Sequence, residues 1–66
     1  MDWERDWQGK RVYLALKGGR KFTGNIILVS REANGDIWLK ISDKYDKEVA
    51  INVNQVEFLQ EEEDRE

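Results

Sequence analysis

The chain contains no cysteine, no histidine and no proline. Without cysteine there are no disulfides and no thiol chemistry, and losing histidine as well removes the commonest zinc ligands. The usual staples of a very small fold are therefore missing, and no metal or other cofactor is expected. Without proline, no strand is forced by its chemistry to lie at a sheet edge. No apolar run approaches the ~18–20 residues needed to cross a bilayer, and the acidic start lacks the basic opening of a signal peptide. These absences lead to the expectation of a cytoplasmic chain with no membrane contact.

What is present is short and dense. The chain has 66 residues, enough for one domain that buries only about 60% of the surface its unfolded form exposes. Stability then has to come from packing, from a closed sheet, or from association with further copies. The net charge of −3 conceals an asymmetry. Residues 61–66 hold five acids against Arg65, whereas residues 1–60 hold ten basic and nine acidic side chains. Within that nearly neutral body, Lys10, Arg11, Lys17, Arg20 and Lys21 form a run of five positive charges with no acid among them. Such a local patch falls far short of the strongly basic character of a dedicated nucleic-acid module.

The organising stretch is KRVYLALKGGRKFTG, residues 10–24. Val12, Leu14 and Leu16 share one side of an extended chain, as do Phe22, Gly24 and Ile26 beyond Gly18-Gly19, so a β-hairpin with a buried face is predicted. Before it, DWERDW places Trp3 and Trp7 four apart behind an Asp2 N-cap. This predicts a short helix, ended by Gly9, that lies as a lid over the core. The second strand, residues 21–29, turns apolar on both faces at Ile27 and Val29, and a bend at Gly24 is expected. Asn34-Gly35 predicts a turn. A third strand should bury Ile37, Leu39 and Ile41 and show Trp38 outward. After the turn DKYDK, a fourth strand should bury Val49, Ile51 and Val53. A corner at Asn54-Gln55 then leads to a fifth strand over residues 56–59, and residues 61–66 are expected to be a disordered acidic tail.

Five short antiparallel strands with one bent long strand predict an all-β, strongly bent small barrel of SH3-like shape, occupying residues 1–60. Its fourth and fifth strands would present open edges near Val53, Val56 and Phe58, and pairing with the same edges of another copy is one way to cover them. Nothing catalytic is visible. General acid–base or nucleophilic chemistry needs positioned groups of shifted pKa, and the carboxylates here lie in turns or in the tail. Asp43 and Asp46 supply too few oxygens for a calcium loop.

The run GKRVYLALKGGRKFTGNIILVS followed by DIWLKISD resembles the first motif of the Sm and Sm-like (Lsm) family: an alternating strand, a Lys-x-Gly-Arg turn, an aromatic, and a glycine two residues later. Gly9, Val12, Leu14, Leu16, Lys17, Gly19, Arg20, Phe22, Gly24 and Ile26 fit that pattern. The resemblance implies a five-stranded Sm-like barrel that self-associates, in a ring, and binds single-stranded RNA. In that family an Asp, an Asn and an Arg-Gly pair form the uridine pocket. Here the Asp position reads Ser30, the Asn is Asn34 or is replaced by Asp36, and the Arg-Gly position reads Asn52-Val53. RNA contact would then fall to Asn34 or Asp36 together with Lys10, Arg11, Lys17, Arg20 and Lys21. The alternative is a protein-protein adaptor or structural subunit on the same scaffold, with Trp38, Tyr13 and Tyr45 as outward aromatic anchors.

Overall fold

Residues 2–62 are described by the structure, a computed structural model. One short helix, α1 (Trp3–Trp7), precedes five strands: β1 (Arg11–Leu16), β2 (Lys21–Arg31), β3 (Ile37–Ser42), β4 (Glu48–Asn52) and β5 (Val56–Glu61). A 3₁₀ turn, Val53–Gln55, joins the last two. All strand pairs are antiparallel, and the single sheet has the order β4-β3-β2-β1-β5.

The three hairpin turns share one construction. In each, the residue before the loop bonds at its N–H and its C=O to residues four and three further on: Leu16 with Arg20 and Gly19, Glu32 with Asp36 and Gly35, and Asp43 with Lys47 and Asp46. The last loop residue of each takes positive φ, and Gly19 (+93°) and Gly35 (+94°) reach it without the steric cost a Cβ imposes. The third is Asp46 at +61°, a residue type whose short polar side chain tolerates the left-handed region. Here Asp43 Oδ1 steadies the loop by accepting from the N–H groups of Tyr45 and Lys47.

One face of the sheet collects the core: Val12 and Leu14 from β1, Ile26 and Val29 from β2, Leu39 and Ile41 from β3, and Ile51 from β4. Trp3, Trp7, Phe22, Val49, Val53, Val56 and Leu59 pack against it half-buried. In β2 the buried positions step from Ile26 to Val29, a spacing of three that a regular strand cannot give. The ladder to β3 slips between Ile26 and Leu28, so Ile27 is an extra residue that resets which side faces inward. This bulge, which was not anticipated, lies three residues beyond Gly24. Gly24 has a different duty. A Cβ there would overlap the Ser42 carbonyl oxygen and come within 2.7 Å of Ile41 Cγ2, so only glycine lets β3 press this close.

The sheet is strongly curled. Flat, its end strands β4 and β5 would lie about 19 Å apart at the usual strand spacing. Yet the chain passes from Asn52 to Val56 through a 3₁₀ turn, and four residues reach at most about 14 Å even when fully extended. No pairing joins β4 to β5, so the sheet stays open. The expectation of five antiparallel strands in one sheet with one short helix is met; closure into a barrel is not part of the observed pairing.

Beyond Asn25, β2 leaves β1, and α1 takes over that edge. The Gly9 N–H donates to Ile26 O, Gln8 Oε1 accepts from the Val29 N–H at 3.0 Å, and Glu4 holds Arg31. Asp2 caps the helix by accepting from the Arg5 N–H. Two boundaries move. β2 runs through Ser30 and Arg31, two residues past the predicted end at residue 29, and β5 runs to Glu61, one residue into the expected tail. Glu62 still bonds the Arg11 carbonyl; the rest of that tail, residues 63–66, lies outside the described residues. Among the described residues no helix is long and apolar enough to cross a membrane.

Candidate functional site

The five cations that read as one run do not form one patch, although Arg11 and Lys21 line a common cleft. Lys10 and Arg11 sit at the start of β1, where the end of β5 meets them: Lys10 Nζ is 3.5 Å from Glu61 Oε1, and Arg11 Nε donates to Glu62 Oε1 at 3.1 Å. Lys17, Arg20 and Lys21 lie around the β1–β2 turn, at the far end of a six-residue strand about 20 Å long. None of these three makes an ion pair among the described residues. The β1–β2 turn thus carries three cations without ion pairs, whereas Lys10 and Arg11 at the other end of the hairpin are paired with Glu61 and Glu62.

The candidate base-reading residues serve the backbone. Asn34 Oδ1 accepts from the Asp36 N–H at 2.9 Å, and Asn34 Nδ2 donates to Asp36 Oδ2 at 3.2 Å, so the two close the β2–β3 turn on each other. Asn52 Oδ1 likewise accepts from the Asn54 N–H at 2.8 Å and starts the 3₁₀ turn. Ser30, on β2, stands opposite Trp38, which stands opposite Asn52. Short polar side chains near turns tend to be taken up in this way, because they offer the local backbone a partner at no loop-closing cost.

Of the apolar candidates, Val53 and Val56 are half-buried against the core, and only Phe58 stays substantially open, at 50% exposure. It meets Tyr13 edge to face on the outer sheet surface, with ring centroids 6.3 Å apart. Trp38 is half-buried and lines a hollow of about 220 Å³ along β4, together with Arg20, Asn52, Gln55 and the apolar side chains of Leu16 and Phe22. Tyr45 is 71% exposed in the β3–β4 turn, with Lys44 Nζ 5.2 Å from its ring centre.

No family model, curated protein or solved structure matches the chain. What the molecule can do must therefore be read from its own surfaces.

Strand alternation identifies which backbone groups are free. The Asp43 N–H donates to Lys47 O, so counting in twos along the β3–β4 ladder, Val49 and Ile51 bond to β3, while Glu48, Ala50 and Asn52 aim their N–H and C=O groups at open space. By the same count from Glu62 N–H to Arg11 O, Phe58 and Gln60 bond to β1, and Leu59 and Glu61 face out, up to the register shift at Glu57. Sequence reasoning located these two edges but missed three local arrangements: Gln8 standing in for a strand, the pairing of Lys10 and Arg11 with β5, and the hollow that Arg20 and Trp38 both line. The charge run in the tail was the available signal for the second.

Proposed function

We propose that the chain is a non-enzymatic, Sm-like binding module, a small bent barrel that associates with further copies by pairing β4 of one with β5 of the next. The observation that carries this reading is the order β4-β3-β2-β1-β5, in which both end strands keep one edge of backbone donors and acceptors free. Beside β4 runs a hollow whose apolar lining, Leu16, Phe22, Val49 and Ile51, offers sockets for the alternate side chains of an incoming strand. Edges at opposite ends of a curled sheet give a head-to-tail contact, and such contacts close into a ring when the rotation between copies allows it. Light scattering is expected to give a multiple of the 7.8 kDa chain mass. The mass of one chain overturns the assembly and favours a monomeric protein-protein adaptor built on the same sheet, with Tyr13 and Phe58 as its outward aromatic pair.

Binding of single-stranded RNA is the second element of this reading. It is supported by Lys17, Arg20 and Lys21, three cations with no acid in ion-pair range among the described residues, and by Trp38, which lines the same hollow as Arg20. A guanidinium and an indole lining one hollow can neutralise phosphate and stack a base without reading its identity. Titration of labelled oligo-uridine and mixed-sequence RNA should show weak, salt-sensitive binding that Arg20→Ala abolishes. No binding at low salt overturns it.

A further inference from the structure

A second concavity, larger than the hollow beside β4, is lined by no residue of β4 or β5. It is a cleft of about 430 Å³ between the first half of β2 and the β3–β4 turn. Lys21, Thr23 and Asn25 form one wall, Lys44 and Tyr45 the other, with Arg11 at one end. Its origin is a divergence of two strands. β3 pairs with β2 only from Asn25 onward, where Asn25 meets Ser42. Past Ser42 the chain turns away into residues 43–46 instead of following β2 back toward Lys21. Because Gly24 lets β3 close in tightly at the point of departure, the cleft is pinched at that end and widens toward Lys21 and Lys44.

The alternation of the β1–β2 ladder shows what faces into it. The N–H groups of Leu16 and Ile26 donate to Arg20 O and Lys10 O, which fixes Phe22 and Gly24 as the residues bonded to β1 between them. Lys21 and Thr23 therefore aim their backbone N–H and C=O groups away from β1, and neither has a ladder partner on that side. This is a short interior edge left open in the middle of a sheet, in addition to the two at its ends.

Its charge is one-sided. Lys21 and Lys44 have no carboxylate in ion-pair range among the described residues. The one acid at the cleft, Asp43, already accepts two backbone N–H groups of its own turn, and Arg11 is shared with Glu62. Tyr45 adds an exposed ring, and Thr23 and Ser42 add hydroxyls.

We infer that this cleft binds an acidic peptide in extended form, whose backbone pairs with Lys21 and Thr23 and whose carboxylates lie between Lys21 and Lys44. The free peptide edge selects a polypeptide, because a nucleic acid has no alternating N–H and C=O groups to complete the ladder. The flanking lysines select its charge. The site uses neither β4 nor the free side of β5, so it stands or falls separately from the assembly proposed above.

The test uses the full chain and a fluorescein-labelled hexapeptide that alternates glutamate with threonine and valine. Anisotropy at low ionic strength should show saturable binding that weakens as salt is added. Lys44→Glu should weaken it about tenfold, whereas Lys47→Glu, in the same turn but outside the cleft, should leave it unchanged. Hydrogen exchange followed by NMR should show the Thr23 amide becoming protected when the peptide is added. Four results overturn the inference: no binding at low salt; equal weakening by both variants, which marks diffuse attraction; binding with no change in Thr23 exchange, which excludes strand pairing; or displacement of the peptide by oligo-uridine bound more tightly in the same cleft.

Discussion

Gly24 shows most directly how one residue type fixes a backbone. Its Cα lies so near Ser42 and Ile41 that any side chain must push β3 aside. Because the atom it would strike first is a backbone carbonyl, flexible repacking cannot absorb the clash. Gly24→Val is expected to cost about 3 kcal/mol, read as a lowered urea midpoint, and an unchanged midpoint would show that β3 can yield. Gln8 works in the opposite sense, supplying a group instead of making room. Its amide oxygen is the acceptor for Val29 N–H where β1 has ended. Gln8→Ala should lose about 1 kcal/mol, and Gln8→Glu, which keeps an acceptor oxygen, should lose less. Equal losses in the two variants would mean that the hydrogen bond contributes little.

At the scale of elements, α1 is a cover for an edge as much as a lid over the core. Five residues are too few for a helix to persist alone, so its stability derives from Trp3 and Trp7 against the core and from the Gln8, Gly9 and Glu4 contacts to β2. The hydrogen bond and charge of Glu4 raise the Arg31 pKa further above its already high ordinary value. β4 has no such cover. Ala50 is exposed and its N–H faces outward by strand alternation, so proline can replace it without breaking the β3 ladder. Ala50→Pro should convert the assembly to single chains by light scattering while leaving most of the thermal stability in place. If the variant keeps the parent mass, β4 is not the joint.

For the whole molecule, the proposed assembly would be linked to stability. A chain this small has little core to spare, and copies that bind only the folded form stabilise it by mass action. The melting temperature should therefore rise with protein concentration; a value independent of concentration would indicate that folding is complete in one chain. The short-range features were legible in the sequence. Val12, Leu14 and Leu16 alternate, Gly18-Gly19 and Asn34-Gly35 mark turns, and Asp2 begins the helix, because each is set by residues within a few positions of one another. The proposed contacts were less legible. Lys10 through Lys21 look continuous in the sequence, yet an extended strand carries the two ends of that run about 20 Å apart. Asn34 looks available as a reader of bases, yet its nearest partner is its own turn.

The sequence by itself determined the number of strands, most of their inward faces and the construction of the turns, since period-two patterning and positive-φ residues act locally. The tertiary structure decided where β2 slips, which edges remain unpaired, and that Glu61 and Glu62 pair with Lys10 and Arg11 at one end of the basic hairpin. Those outcomes depend on pairings between residues up to 51 positions apart, and they follow from how a curled sheet meets itself, which no short window of residues records.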